Sequence, residues 1–199
     1  SQDIRETYIS NQNKTFKDEL NIRKFHLPQD DYFKEPVSKS HIIIHHTVSS
    51  GVPDFVVKNA WKGSGSRVAT SYIIGGPSPK RYVEKGWINS VDEYDGEILE
   101  VFDDRYWAYA LGLRYGKHYS KRGSKRKAES KAIQIEICNY GRLEERDGRF
   151  FNVYDEEIPE DQVIGLNDSS SQFNKYYHKY SPKQMESLEI LIKSLCNYN

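Results

Sequence analysis

Two short aliphatic segments, far apart in the chain, each carry ionisable side chains within a run of isoleucines. The first covers residues 41–47 (HIIIHHT) and the second covers residues 133–141 (IQIEICNYG). Their length and their isoleucine content are typical of buried β-strands. A desolvated imidazole or carboxylate is costly unless a metal ion or hydrogen bonds compensate for the lost water. The two segments therefore predict buried strands that carry a functional site.

The side chains of a strand alternate between the two faces of a sheet. In the second segment this alternation puts the isoleucines on one face, and the other face carries Gln134, Glu136 and Cys138. The first face is suited to packing and the second to chemistry. The same alternation sends His45 and His46 to opposite faces, so at most one of them can share a cavity with Glu136.

These segments, with the stretches between them, resemble the zinc-dependent N-acetylmuramoyl-L-alanine amidases of phage endolysins and peptidoglycan recognition proteins. The resemblance covers roughly residues 41–199. It consists of five motifs in the family's order, at residues 42–47, 68–74, 95–102, 106–112 and 133–141. Five ordered motifs are more specific than any single one. The resemblance implies an α/β fold with a central mixed β-sheet flanked by helices.

The resemblance also implies roles for individual residues. His45 would bind zinc, and Glu136 would orient and deprotonate the zinc-bound water, whose pKa the metal lowers to about 7. The resulting hydroxide would attack the amide between the muramoyl lactyl group and L-alanine. Tyr72, Trp107 and Tyr109 are candidate substrate-binding residues. Structural alternatives stay open: a hydrogen-bonded core histidine at position 45, a carboxylate paired with a Lys or Arg at position 136, and ordinary packing for the three aromatic rings.

The sequence departs from the family in its metal ligands. Ala110 stands where the family commonly has a histidine near the cavity. A helix predicted from Pro182 to about Leu195 matches the family's terminal helix, but the segment with a second zinc histidine and a cysteine or aspartate ligand has no counterpart before Asn199. A catalytic zinc normally takes three protein ligands. The family pattern assigns no ligand to the remaining histidines and cysteines, which are His26, His41, His46, His118, His178, Cys138 and Cys196.

Two explanations remain open for this gap. The distal ligands lie on another segment or on a second chain, or the domain is an amidase relative that no longer binds metal. Because one histidine cannot hold zinc against water and buffer, we expect this chain to bind zinc weakly or not at all unless a partner supplies ligands.

The chain divides into two parts by composition. Residues 1–40 are polar with short apolar patches, and they are predicted to form an N-terminal extension or arm on an amidase-like domain at residues 41–199. Pro53 is expected to open a short helix. A basic stretch at residues 114–131 is interpreted as a solvated loop, with attraction to anionic wall polymers or to an acidic partner as the alternative.

Charge and hydropathy exclude several classes of function. The 29 Lys and Arg residues balance 29 Asp and Glu residues, so no overall field favours nucleic acid or an anionic membrane. No stretch approaches the roughly 20 apolar residues of a membrane span, and the first residues lack the apolar core of a signal peptide. The resemblance implies a protein that is phage-encoded or cytoplasmic until release and that acts at the bacterial cell wall. Three routes to the wall stay open, namely holin-assisted release, delivery in a virion or secretion apparatus, and earlier removal of a signal peptide.

The sequence therefore favours a peptidoglycan hydrolase that cleaves the amide between N-acetylmuramic acid and L-alanine, with zinc as cofactor and peptidoglycan or muropeptides as partners. The first alternative is a metal-free amidase-like module that binds peptidoglycan fragments or a partner protein. The second is a structural component of a phage or secretion particle. In each case we expect the domain to fold and His45 and Glu136 to face a cleft open on one side.

Overall fold

The computed structural model describes residues 20–111, 127–166 and 175–196. Its centre is a five-stranded sheet in which all neighbours run parallel except β3 and β4. In chain order its strands are β1 (Arg23–Lys24), β2 (His41–His46), β3 (Tyr72–Ile74), β4 (Ile98–Glu100) and β5 (Ala132–Ile137). Their spatial order is β1-β4-β3-β5-β2. The predicted α/β class with a central mixed sheet is confirmed.

Among the described residues, helices α1, α2 and α3 accompany this sheet, and residues 127–130 are also helical. α1 covers Pro53–Val56, with the proline in its first turn, and continues as a π-helical turn over Val57–Trp61. α2 is a short helix at Lys80–Glu84. α3 covers Pro182–Cys196. Single 3₁₀ turns lie at Gln29–Asp31 and Glu160–Gln162. The short helix expected at Pro53 and the terminal helix expected from Pro182 are both present.

The N-terminus of α3 is closed by a reciprocal pair of side-chain hydrogen bonds. The Gln184 backbone N–H donates to Ser181 Oγ over 3.0 Å, and the Ser181 backbone N–H donates to Gln184 Oε1 over 3.0 Å. This is the capping-box arrangement, which satisfies two donors that have no partner within the helix. The Gln184 Nε2 group also donates to the Cys138 carbonyl over 2.7 Å. The cap therefore ties the helix to the end of β5.

Each face of the sheet packs against a different helix. On one face Leu188, Leu191 and Leu195 of α3 contact the buried isoleucines of β3 and β5. On the other face Val57 and Trp61 of the α1 segment pack with apolar side chains that include Ile73, Leu99 and Cys138. Met185, which the helical spacing assigns to the apolar face of α3, is 47% exposed. The packing stripe of α3 is thus narrower than the sequence pattern indicates.

A second, antiparallel sheet is attached beyond the end of β5. Its strands are β6 (Arg142–Arg146), β7 (Arg149–Phe151), β8 (Glu157–Ile158), β9 (Val163–Gly165) and β10 (Tyr176–His178), in the spatial order β8-β7-β6-β10-β9. β6 and β7 are joined at Asp147 and Gly148, which both have positive φ, as a tight hairpin turn requires. Tyr140, Leu143 and Ile158 form its small core.

Residues 20–40, which belong to the predicted extension, contribute to the central sheet and its core. β1 pairs with β4, and Leu27 and Tyr32 are buried beneath α1. The Lys39 ammonium group donates to the carbonyls of Tyr106 and Ser130. Most of the basic stretch at residues 114–131 lies outside the described residues. Within the described parts of the chain, no helix has the length and apolar character needed to cross a bilayer.

Candidate functional site

The parallel pairing of β2 with β5 sets His45 directly opposite Glu136. Residues opposite each other in a ladder project from the same face of a sheet. His45 and Glu136 therefore project side by side from the face that also carries Gln134. His46 pairs with Ile137 and projects from the other face, where its ring lies over Gly141. A Cβ atom on Gly141, which has φ of 72°, would come within 2.5 Å of His46 Nε2.

The His45 side chain is half-buried and bound to a neighbouring amide. Its Nε2 atom lies 2.8 Å from Gln134 Oε1. Among the described residues, no group hydrogen-bonds to its Nδ1 atom. The Gln134 Oε1 atom is a carbonyl oxygen, so this contact agrees with the structural alternative, a core histidine that is hydrogen-bonded to a carbonyl. One ring nitrogen is thus engaged, and the other has no hydrogen-bond partner within the described ranges.

The Glu136 carboxyl is half-buried, and burial raises its pKa to about 7 from an ordinary value near 4.5. Desolvation disfavours the charged form, which is the cause of the shift. No Lys or Arg among the described residues pairs with this carboxyl, so the ion-pair alternative has no counterpart in that part of the chain. A carboxyl with a pKa near neutrality can both accept and return a proton, as general acid–base catalysis requires.

A cleft of about 390 Å³ opens where β2 ends. Its wall includes Thr47, two residues beyond His45, and the Thr47 Oγ1 atom accepts a hydrogen bond from the backbone N–H of Asn139, three residues beyond Glu136, over 3.3 Å. Aromatic rings from α1, α2 and the second sheet line much of the cleft, namely Phe55, Tyr82, Tyr140 and Tyr154. The two strands of the His45–Glu136 pair continue into residues that line this aromatic cleft, which is suited to stacking on sugar rings or peptide groups. His45 and Glu136 themselves are not among the lining residues, so the cleft begins beyond the pair.

Tyr72 and Trp107, two of the predicted substrate-binding residues, are placed in packing positions. Tyr72 is 0% exposed, because it alternates to the sheet face covered by α3, and its hydroxyl donates to Asp104 Oδ2 over 2.6 Å. Trp107 is 1% exposed and stacks on Phe33 with ring centroids 4.0 Å apart. The structure does not bring the Tyr72 ring to the face of His45 and Glu136.

Tyr109, the third of these residues, is half-buried and packs edge-on against Trp107, with ring centroids 5.5 Å apart. Tyr109 forms one aromatic cluster with Trp107 and Phe33. The Arg67 guanidinium lies over the Phe33 ring, 4.6 Å from its centroid. Only Tyr109 among the three predicted residues therefore keeps a partly accessible ring.

The described residues do not complete a zinc site on their own. No group of three or more His, Cys, Asp or Glu side chains within the described ranges could hold a metal ion. A catalytic zinc needs three protein ligands, and this face offers the His45 imidazole beside the Glu136 carboxyl. Any further ligands would have to come from outside the described residues.

Sequence reasoning missed two sets of residues at this site. Side-chain alternation puts Gln134 on the reactive face, but it gives no indication of the contact between Gln134 and His45. The aromatic wall contributed by Tyr140 and Tyr154 was also missed, because these residues reach the cleft only through the pairing of the second sheet. Tyr140 and Gly141 stand at the end of the second apolar segment, and neither residue indicates in the sequence how the strands of the second sheet pair.

Comparisons with known proteins give one structural similarity and no sequence match. The sequence matches no known protein family and no curated protein. A solved structure of a PlyL mutant superposes with a TM-score of 0.38 at 14% sequence identity, over 59% of this chain and 57% of the PlyL chain. The chain thus spans just over half the length of that protein.

Proposed function

We propose that this chain is a peptidoglycan amidase domain that cleaves the amide between N-acetylmuramic acid and L-alanine at the His45–Glu136 pair. The observation that carries the proposal is the parallel register that holds a half-buried carboxyl with a pKa near 7 beside an imidazole, next to an aromatic cleft. The five ordered motifs of the sequence point to the same chemistry. The proposed partners are peptidoglycan or muropeptides, and the proposed place of action is the bacterial cell wall.

Glu136 is the proposed catalytic residue. Its ionised form can accept a proton from the attacking water, and its protonated form can return a proton to the departing amine of L-alanine. Both forms are populated near neutral pH because burial raises the pKa of this carboxyl to about 7. The proton that enters with water thus leaves on the amine, and the carboxyl returns to its starting state.

His45 is the proposed metal ligand, through Nδ1. Because the described residues do not form a three-ligand site, we propose zinc only for a form of the protein in which another segment or a partner chain supplies the remaining ligands.

Replacing the carboxyl by its amide tests this proposal. Glu136→Gln should keep the fold and lower muropeptide cleavage by about 10²–10⁴-fold, because the amide cannot accept a proton from water. Release of the stem peptide from purified muropeptides, followed by mass spectrometry with and without added zinc, is the measurement. Glu186→Gln, an exposed position on α3, is the matched control and should cleave as the wild-type chain does. Equal cleavage by Glu136→Gln and wild type would assign Glu136 a structural role.

A binding module without hydrolysis is the second candidate. It is favoured by the incomplete ligand set among the described residues together with the aromatic cleft. In that case calorimetry should detect muropeptide binding while no stem peptide is released at any zinc concentration. Tyr154→Ala, which removes a half-exposed ring of the cleft, should then weaken binding, whereas Glu136→Gln should leave binding unchanged.

A further inference from the structure

Glu129 is a buried carboxylate enclosed by N–H groups. It is 2% exposed and accepts hydrogen bonds from the backbone N–H groups of Ala110 and Leu111 over 3.1 and 3.0 Å. Gln134 Nε2 supplies a third donor over 2.8 Å, to the Oε2 atom. A buried carboxylate with three donors is satisfied without a cation. Each of the two carboxyl oxygens accepts a backbone N–H group, so both oxygens act as hydrogen-bond acceptors toward the side chains around them.

The carboxylate fixes which way the Gln134 amide points. The Nε2 group lies 2.8 Å from Glu129 Oε2 and 3.4 Å from the Ala108 carbonyl oxygen, and both are acceptors. An amide oxygen in that place would face two other oxygens. The Oε1 atom of Gln134 is therefore directed to the opposite side, where it meets His45 Nε2 at 2.8 Å.

The amide in turn fixes the protonation pattern of the neutral imidazole. Gln134 Oε1 can only accept, so His45 Nε2 must carry the hydrogen, and Nδ1 is left with its lone pair. We infer that Gln134 and Glu129 are positioning residues that hold His45 as its Nε2–H tautomer and reserve Nδ1 as the basic atom of the site. The catalytic meaning of this inference rests on the proposed function, but the tautomer itself does not.

The same arrangement connects the site to the segment before the basic stretch. Glu129 accepts hydrogen bonds from the backbone N–H groups of Ala110 and Leu111, which belong to the motif at residues 106–112. Gln134 contacts both Glu129 and His45, so the orientation of its amide depends on Glu129 and determines the contact with His45. A partner that orients the second nitrogen of a ligating histidine typically changes metal affinity or activity by 10–100-fold when it is removed. Gln134 and Glu129 occupy that relation to His45.

Nuclear magnetic resonance of the full chain measures the tautomer directly. Two-bond ¹H–¹⁵N correlation spectra at pH 8, where an ordinary histidine is neutral, distinguish the protonated ring nitrogen from the bare one. We expect the wild-type His45 signals to show the Nε2–H tautomer. A predominant Nδ1–H tautomer in the wild-type chain would overturn the inference before any variant is made.

Two substitutions at one position then test the cause. Gln134→Met removes the acceptor with little change in volume, and the ratio of the two His45 tautomers should change by about five-fold toward Nδ1–H. Gln134→Lys replaces the acceptor by a donor and should drive His45 to the Nδ1–H form. His178 is an internal reference, because its Nδ1 accepts the Tyr140 backbone N–H over 3.2 Å and its tautomer is set elsewhere. An unchanged His45 ratio in both variants, with His178 also unchanged, would overturn the role of Gln134.

Hydrolysis and tautomer are separate readouts. In a form that cleaves muropeptides, Gln134→Met should lower kcat/KM by about 10–100-fold. If Glu136→Gln leaves cleavage intact while the Gln134 variants shift the tautomer as described, the proposed catalytic role of Glu136 fails and the positioning pair stands. If neither wild type nor any variant releases stem peptide at any zinc concentration while the tautomer responds to the Gln134 variants, the proposed hydrolysis fails and the positioning pair stands. If Glu136→Gln abolishes cleavage but the tautomer ratio does not respond to either Gln134 variant, the proposed function stands and the positioning pair fails.

Discussion

The two faces of β5 share one backbone and meet opposite environments. Ile133, Ile135 and Ile137 are enclosed by α3 in a contiguous apolar cluster. The alternate residues Gln134 and Glu136 lie on the other face with His45, where the carboxyl keeps partial access to solvent and a raised pKa. One face is closed by apolar contacts, and the other holds polar groups whose burial is costly.

The residues on one face of β5 contribute to the stability of the fold, and the residues on its other face are available for chemistry. Burial of apolar surface stabilises a fold by roughly 25 cal/mol per Å², whereas burial of an ionisable group destabilises the fold unless its partners compensate. We therefore expect substitutions on the α3 face to change the free energy of unfolding. Substitutions on the polar face should change pH dependence and catalysis.

The largest effect on stability is expected on the closed face. Leu191→Ala removes a fully buried side chain between α3 and the sheet, and it should lower the free energy of unfolding by about 2–5 kcal/mol. Urea denaturation followed by circular dichroism measures this loss. Ile190→Ala on the exposed side of the same helix is the control, with an expected change within about 0.5 kcal/mol. Similar losses in both variants would mean that α3 is not held by this apolar stripe.

Burial of the Glu136 carboxyl on the polar face should make the free energy of unfolding depend on pH. The folded-state pKa of Glu136 is about 7 and its ordinary value is about 4.5, so the unfolded chain releases the proton first as pH rises. Stability is therefore present below pH 4.5 and is lost as pH rises through 7, by up to about 3 kcal/mol. Glu136→Gln has no proton to lose, so denaturation at pH 4.5, 6 and 8 should show its stability rising relative to wild type. If the stability difference between Glu136→Gln and wild type is the same at all three pH values, the pKa of Glu136 is not raised by desolvation.

His178 in the second sheet should make the free energy of unfolding depend on pH with the opposite sign. Burial lowers the pKa of His178 from 6.5 to about 4, so the folded state keeps this imidazole neutral. As pH falls from 6.5 toward 4 the unfolded chain binds the proton first, and stability is lost by an amount on the order of 3 kcal/mol. His178→Asn keeps an acceptor for the Tyr140 N–H without titrating in this range. Denaturation of the double variant with Glu136→Gln should therefore be flatter with pH than that of either single variant.

The smallest expected effect concerns the cap of α3. Ser181→Ala removes the acceptor of the Gln184 backbone N–H and should lower the free energy of unfolding by about 1 kcal/mol. Glu186→Ala, which is exposed on the same helix, is the control and should change stability much less. A loss of several kcal/mol at Ser181 would show that its contact with Asp95 matters more than the cap.

Much of the central fold is readable in the sequence because its signals are local. The isoleucine periodicity of β5 predicts its two faces, Pro53 marks the start of α1, and the leucine spacing after Pro182 predicts α3. For Tyr72 the sequence leaves both substrate binding and ordinary packing open, and β3 turns this ring into the core beneath α3. A strand too short to show its own alternation gives no information about which face meets solvent.

The sequence by itself determined that His45 and Glu136 sit on apolar strands and that His46 cannot accompany His45, because side-chain alternation is a property of each strand alone. Only the tertiary structure decided that β2 lies beside β5 in a register that makes His45 and Glu136 neighbours. It also decided that Glu129 directs Gln134 and, through it, the imidazole of His45. Register and hydrogen-bond direction depend on which strands meet and on which groups lose water together. Those outcomes are set by the packing of the whole domain.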